Sequence, residues 1–471
     1  MKGIRLTKSS PPQLTVLLMM TLILTGCGTE PKEDLFALED VNVLMIVIDT
    51  LGTGHLGTWT QGLDTSPNID ALAAGGIRFS RASSTAPWTQ PAVASLMTGL
   101  TPSRHGVLHL FDKLPEDNLT LAEALAARGF KTAGVVSHFL INRDQGFGQG
   151  FEVYTDASVK GHEVSSPKVT RTAISELRRL QDERFFLFVH YFDPHSEYLH
   201  HPEYDRTSWY QGSALQWKRD ILALREKRHG MSSRDIEFLR GLYREEIAFT
   251  DHHLGLLMAQ LKNLGLEDNT LVILTADHGE EFMEHGWIGH TRFLYDTLLH
   301  VPLIFSLPGK LKPGTVEEPV SLNDLMPTLL AMSNLSPEDP GGDGRSLRPF
   351  LSGAPGKGGH PLYSEVSFLA PPKERGTIVA EKEAFMAAVS SDHWKLIHDL
   401  DRQEWSLFNR STDPGEMNNL FSESHPLVRQ LQPLLLEWEE GKTEKWGRNF
   451  EGIKQMSEED RKRLRSLGYV R

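Results

Sequence analysis

Val41-Asn42-Val43-Leu44-Met45-Ile46-Val47-Ile48-Asp49 sets a nearly unbroken apolar run directly before a carboxylate. A strand that is apolar at almost every position is buried on both sheet faces, which is the habit of a parallel sheet covered by helices. Runs of the same kind recur at 132–136, 185–191, 271–275 and 301–305, and amphipathic helical stretches lie between them at 68–74, 120–128 and 236–264. This alternation predicts an α/β fold with a largely parallel central sheet flanked by helices. A Pro/Gly/Asp-rich stretch at 336–344 marks a boundary. Beyond it, short strands at 384–390, 394–399 and 405–408 and a helix at 426–440 predict a smaller C-terminal antiparallel sheet plus helix. The expected division is 1–26 as a signal peptide, 27–40 as a tether, 41–335 as the catalytic domain, 336–440 as the small-sheet subdomain and 441–471 as a helical tail.

The 471 residues are 39% hydrophobic and 24% charged, an ordinary globular composition with enough apolar chain for one large core and an attached subdomain. A formal net charge of −13 repels phosphate backbones, so nucleic acid is not an expected partner. The acidic excess does not identify a substrate, because a bound cation reverses the local potential. Oligomeric state is not readable from the chain.

At the amino terminus, Lys2, Arg5 and Lys8 precede an apolar run at 14–24 that is short for a bilayer span. The run ends in Leu24-Thr25-Gly26-Cys27, which resembles a bacterial lipoprotein box with cleavage before Cys27 and acylation of its thiol. An ordinary signal peptide that happens to contain a cysteine is the plainer alternative. Acyl chains would hold the protein on a membrane face at about 0.8 kcal/mol per buried methylene. The expected location is therefore the bacterial cell envelope, and Gly28 after the cysteine favours the outer membrane or periplasmic face. Cys27 is the one cysteine in the chain, so no internal disulfide forms and no thiolate remains for catalysis or zinc.

In open α/β sheets ligands bind beyond the carboxyl ends of the strands. Polar residues collect there: Asp49 after the first run, His138 after 132–136, Asp193 and His195 after 185–191, and Asp277 with His278 after 271–275. Singly, each would be an ordinary cap or loop residue; together they make a site. Carboxylates and imidazoles suit one divalent ion of the Mg²⁺, Mn²⁺, Ca²⁺ or Zn²⁺ type, with room for a second. The stretch Ala86-Pro87-Trp88-Thr89-Gln90-Pro91 opens a helix that stops at Gly99, and a helix start welcomes an anion. Thr89 is expected at the cap position, where it serves either as a nucleophile or merely as the cap.

These motifs together make the chain similar to the sulfatase branch of the alkaline phosphatase superfamily over most of residues 41–440. The resemblance is carried by Val47-Ile48-Asp49-Thr50-Leu51, Ser66-Pro67-Asn68-Ile69-Asp70, Pro91 through Gly99 with His105-Gly106-Val107, Asp193-Pro194-His195 and Asp277-His278-Gly279-Glu280. Glu284-His285-Gly286, Val301-Pro302-Leu303-Ile304 and Asp324-Leu325-Met326-Pro327-Thr328 extend it, and Lys395-Leu396-Ile397 with Asp413-Pro414-Gly415-Glu416 carries it into the C-terminal part. The resemblance implies an enzyme that cleaves an anionic phosphate or sulfate ester. It implies Asp49, Asp277 and His278 as metal ligands and Thr89 as nucleophile touching the metal. It also implies His195 as a contact to the anionic group and His290 at the place of a lysine that steadies the leaving oxygen; His138, placed after the strand 132–136, is a further candidate for steering the anion.

The departures from the family pattern are informative. Sulfatases convert a cysteine or serine at the Thr89 position to formylglycine, and threonine cannot yield that aldehyde. The family arginine four residues later is Val93, the lysine of the element at 136–139 is absent, and a second acid near the first strand is replaced by Thr50 and Gly54. Threonine does act as a nucleophile at phosphorus in phosphodiesterases and phospho-group transferases of the wider superfamily. A metal-dependent hydrolase or group transferase acting through Thr89 is the leading expectation. A cell-envelope binding protein that kept the fold and lost catalysis is the alternative, and sulfate hydrolysis by an unmodified threonine is a third. His200-His201 and His252-His253 are read as loop and surface residues, and Asp251 as a helix-face or supporting residue.

Overall fold

A computed structural model describes residues 41–110, 112–158, 164–195, 197–333, 342–356, 358–368, 384–440 and 442. The expected signal peptide, Cys27, the tether and nearly all of the C-terminal tail lie outside the described residues. No helix among the described residues is long and apolar enough to cross a membrane.

In chain order the strands are β1 (Asn42–Ile48), β2 (Ile77–Ser83), β3 (Lys131–Val136), β4 (Val153–Asp156), β5 (Phe185–Tyr191) and β6 (Thr270–Ala276). A two-residue ribbon follows, β7 (Glu281–Phe282) with β8 (Ile288–Gly289), then β9 (His300–Ser306), β10 (Gly314–Val316) and β11 (Val320–Ser321). The last four are β12 (Leu362–Phe368), β13 (Ala384–Ser391), β14 (Trp394–Asp399) and β15 (Glu404–Asn409). The main sheet runs β10-β2-β9-β6-β1-β5-β3-β4, with β11 beside β2. Its centre, β6-β1-β5-β3, is parallel. The apolar run at 301–305 is the exception: β9 lies antiparallel between β6 and β2.

Every residue of β1, β5 and β6 is buried, as their unbroken apolar text requires. Helices cover the faces, among them Pro67–Gly75, Ser166–Leu180 and the long Ser233–Asn263, whose start is fixed by a reciprocal Ser232–Asp235 capping box. β2 escapes an apolar-run search because Arg78, Ser80 and Arg81 interrupt it and only part of it is buried.

The C-terminal strands form an antiparallel sheet β12-β13-β14-β15, with the helix Pro426–Glu439 packed on it. This sheet grips the main body close to the strand ends. Glu365 N–H donates to Thr85 O at 2.9 Å, and Ser364 Oγ donates to Ser84 O at 2.7 Å. An apolar seam of Trp88, Phe139, Leu294, Val366, Met386 and Ile397 joins the two parts. The chain just before Thr89 is therefore clamped from below.

Candidate active site

The sheet register alone brings the acidic centre together. Val47 is level with His190 on one side and Thr275 on the other, and Ile48 is level with Ala276. Asp49 and Asp277 leave the ends of neighbouring strands, and His190 is the penultimate residue of the third. His190 Nε2 lies 3.7 Å from Asp49 Oδ2 and 4.0 Å from Asp277 Oδ2, with all three side chains fully buried. Asp49, His190 and Asp277 each offer one ligand atom within 4.8 Å of the others. His278 Nε2 faces the same point, 3.6 Å from both Asp49 Oδ1 and Asp277 Oδ2. Its ring is set by Nδ1–H donating to Gly279 O at 2.9 Å, which leaves Nε2 as a lone pair toward the centre. Gly279 is needed for close approach, since a Cβ there would lie 2.2 Å from Thr297 O.

Thr89 is the first residue of the helix Thr89–Thr98, not its cap. Trp88 takes the cap position with extended backbone and no side-chain capping bond, correcting the expectation for Thr89. Because Thr89 Oγ1 is not spent on its own backbone, it reaches the centre, 3.4 Å from Asp49 Oδ2 and 3.3 Å from His278 Nε2. The helix ends as anticipated at Gly99, whose φ of 70° is the left-handed conformation that glycine adopts without penalty.

Three further imidazoles wall the space. His290 packs beside His278 with ring centroids 4.6 Å apart, His195 lies 4.7 Å from His290, and His138 lies 5.7 Å from His195. His290 Nδ1 shares a 2.9 Å hydrogen bond with Glu280 Oε1, and Thr291 N–H donates to Pro87 O at 3.0 Å, tying this segment to the one that carries Thr89. Of the residues expected at the centre, Asp49, Thr89, His138, His195, Asp277, His278 and His290 thus lie around one region, and Asp193 is engaged elsewhere. His190 and Glu280 were not anticipated. His190 sits inside a strand whose text is otherwise apolar and aromatic, and a histidine at a strand's carboxyl end is the signal that marks it.

The electrostatics are those of crowded charge out of water. Burial, then the Asp277 and Glu280 carboxylates, pushes Asp49 well above the usual carboxylate range. Burial alone would raise Asp277 as well, but His278 and His190 favour its anion and hold it below that range. Burial raises Glu280 to about 8, against the pull of His278 and Arg225. His138 and His290 are depressed, by burial first and then by neighbouring imidazoles. Asp49 Oδ1, Asp277 Oδ2, His138 Nε2 and His190 Nε2 are buried with no hydrogen-bond partner. His138 Nδ1 accepts from Leu140 N–H at 3.1 Å, so its Nε2 carries the proton and serves as a donor toward an anion, whereas the two carboxylate oxygens with His190 and His278 Nε2 are what a divalent cation requires, and these residues fit such an ion.

Asp193 and the residues read as loop or supporting groups are engaged elsewhere. Asp193 turns from the centre and accepts from Ser166 N at 2.8 Å and Ser165 N at 3.1 Å, capping the helix Ser166–Leu180 from outside. Asp251 does the same for the helix Pro67–Gly75, accepting from Ile69 N at 2.8 Å. His200 and His201 pair with Glu245 and Glu246 at 2.8 and 3.1 Å. Val93 is in the main core. Ser137, at the place of the family lysine, clips β3 to β5 by donating to His190 O at 2.9 Å and accepting from Phe192 N at 2.8 Å.

Comparison with known proteins identifies the family and the fold. The sulfatase family model covers residues 41–335, and the model described as N-sulphoglucosamine sulphohydrolase, C-terminal, covers 283–440. Bovine arylsulfatase A is 27% identical over 85% of this chain and 89% of its own length. The N-acetylglucosamine-6-O-sulfatase of Bacteroides thetaiotaomicron is 24% identical over 92% and 91%. Among solved structures, the phosphonate monoester hydrolase from Silicibacter pomeroyi superposes with a TM-score of 0.68 at 21% identity, over 85% of this chain and 95% of that one. A structure of BT4656 with D-glucosamine-2-N,6-O-disulfate gives 0.69 at 21%, over 88% and 100%. The chain belongs to the sulfatase family of ester hydrolases, within the alkaline phosphatase superfamily.

Proposed function

We propose that this chain cleaves a phosphate or sulfate ester with the Thr89 hydroxyl as nucleophile. The observation that carries this is the position of Thr89 Oγ1, buried at a helix start and directed at Asp49 and His278 instead of at its own backbone. Asp49, Asp277 and His278 would hold one divalent cation beside it, which when bound offsets the carboxylate charge and makes the hydroxyl easier to deprotonate.

In the first step Thr89 Oγ1 forms a bond to phosphorus or sulfur while the bond to the alcohol oxygen breaks. The free N–H groups of the helix Thr89–Thr98 and the ring edges of His138 and His195 steady the non-bridging oxygens, the work of the arginine and lysine that are absent here. Thr89 Oγ1 passes its proton to Asp49 Oδ2, to which it donates, and His290, accepting at Nδ1 from the carboxyl of Glu280, gives its Nε2 proton to the departing alcohol as the Glu280 proton moves to Nδ1. Water or an acceptor alcohol then takes the group from Thr89 and restores the hydroxyl.

Replacing Thr89 with alanine should lower turnover by at least ~10³-fold on every ester the wild type cleaves, in a panel of aryl sulfate, phosphate monoester and phosphodiester assayed with added Mg²⁺, Mn²⁺, Ca²⁺ or Zn²⁺. Unchanged turnover would exclude Thr89 as the nucleophile. Turnover absent from the wild type under all these conditions would favour a binding protein that retains the fold. The basic start and the Cys27 motif support a lipid-held protein of the bacterial cell envelope. Labelled palmitate should enter the wild type and not Cys27→Ala; equal labelling would rule that anchor out.

A further inference from the structure

We propose that His190 is a metal ligand, and that it makes the site select an ion of the zinc class over Ca²⁺ or Mg²⁺. The assignment rests on the cation proposed at Asp49, Asp277 and His278 beside Thr89, and adds the residue that decides which cation that is. His190 is fully buried at the end of β5, and neither of its ring nitrogens has a hydrogen-bond partner. A polar atom left unsatisfied in a protein interior is costly, and an ion held between Nε2 and the two carboxylates would relieve that cost. Its Nε2 points between Asp49 Oδ2 and Asp277 Oδ2, at 3.7 and 4.0 Å, too far for hydrogen bonds but suited to ligand atoms that share an ion. Asp277 Oδ2 is itself without a partner.

Neither Thr50 nor Gly54, in the loop after β1, supplies a competing carboxylate. Thr50 Oγ1 donates to Asp49 O at 2.7 Å, and Gly54 has no side chain. Where those positions lack an acid, the neighbouring strand supplies an imidazole. Two carboxylates with the imidazoles of His190 and His278 form a mixed nitrogen and oxygen set. Ca²⁺ and Mg²⁺ take oxygen ligands almost exclusively, whereas Zn²⁺ accepts imidazole readily.

The full chain, stripped with a chelator, is titrated calorimetrically with Zn²⁺ and with Ca²⁺, beside His190→Asn and Asp277→Asn. Wild type should prefer Zn²⁺, and His190→Asn should lose roughly 10–100-fold in Zn²⁺ affinity, at least the loss seen when a group merely supporting a ligand is removed. Its Ca²⁺ affinity should hardly change. X-ray absorption of the zinc-loaded wild type, which needs no variant to fold, should count two imidazoles. One imidazole, or wild-type Zn²⁺ affinity in His190→Asn while Asp277→Asn binds poorly, overturns the role of His190 alone. Wild-type Zn²⁺ affinity in both variants overturns the cation site itself.

Discussion

At the scale of single residues, the centre is defined by side chains that decline their ordinary roles. A threonine opening a helix usually caps it; Thr89 leaves the cap to Trp88 and turns its hydroxyl to Asp49 and His278. A histidine in a buried strand usually finds a carbonyl or a hydroxyl; His190 finds none. His290 is different again, because Glu280 fixes its ring from behind at 2.9 Å. A group that protonates the leaving oxygen matters most when that oxygen is a poor leaving group. His290→Ala should therefore slow alkyl esters by roughly 10²–10⁴-fold while nitrophenyl esters lose far less. Equal losses on both, in parallel initial-rate assays, would remove His290 from that role.

At the scale of elements, the legible part of the fold is the part with one clear period. The doubly buried strands β1, β5 and β6 are continuous apolar text, and the polar residues that end them were visible for the same reason. β2 and the edge strand β4 were not, since both are partly exposed and carry charged or polar residues that dilute the signal. The antiparallel direction of β9 is invisible in a run that reads like its parallel neighbours, because direction depends on connections and not on composition. His190 was hidden by its own strand: its neighbours signal core, and only the register against Val47 shows which edge it reaches.

The small sheet holds the segment beyond His290 through a buried ion cluster that composition could not have located. Lys395 on β14 is fully buried, donating to Leu294 O at 3.0 Å and paired with Asp296 and with Glu416 at 2.9 Å. Arg410 adds a second cation, 3.3 Å from Asp296. Leu294 and Asp296 lie a few residues beyond His290. Lys395→Met would leave Glu416 uncompensated in the interior, with Asp296 still paired to Arg410, and should lower unfolding free energy by about 3–5 kcal/mol. A denaturant midpoint equal to that of the wild type would show that the cluster does not join the two sheets.

At the scale of the molecule, three parallel strands deliver two carboxylates and an imidazole to one point. A helix start brings the Thr89 hydroxyl to the same point, and a second sheet braces the segments that carry Thr89 and His290. Each part is ordinary protein physics; the function lies in their convergence. The family was readable from ordered motifs along the chain, and the departures at Thr89, Val93 and Ser137 define how this member differs. The central claim is that the ester's phosphoryl or sulfuryl group passes through Thr89. Rapid acid quench of enzyme turning over a good substrate, followed by peptide mass spectrometry, measures this directly. The account predicts a single added phosphoryl or sulfuryl group on Thr89, appearing within one turnover and absent from Thr89→Ala; steady turnover with Thr89 unmodified at every quench time, or the group on another residue, would contradict it.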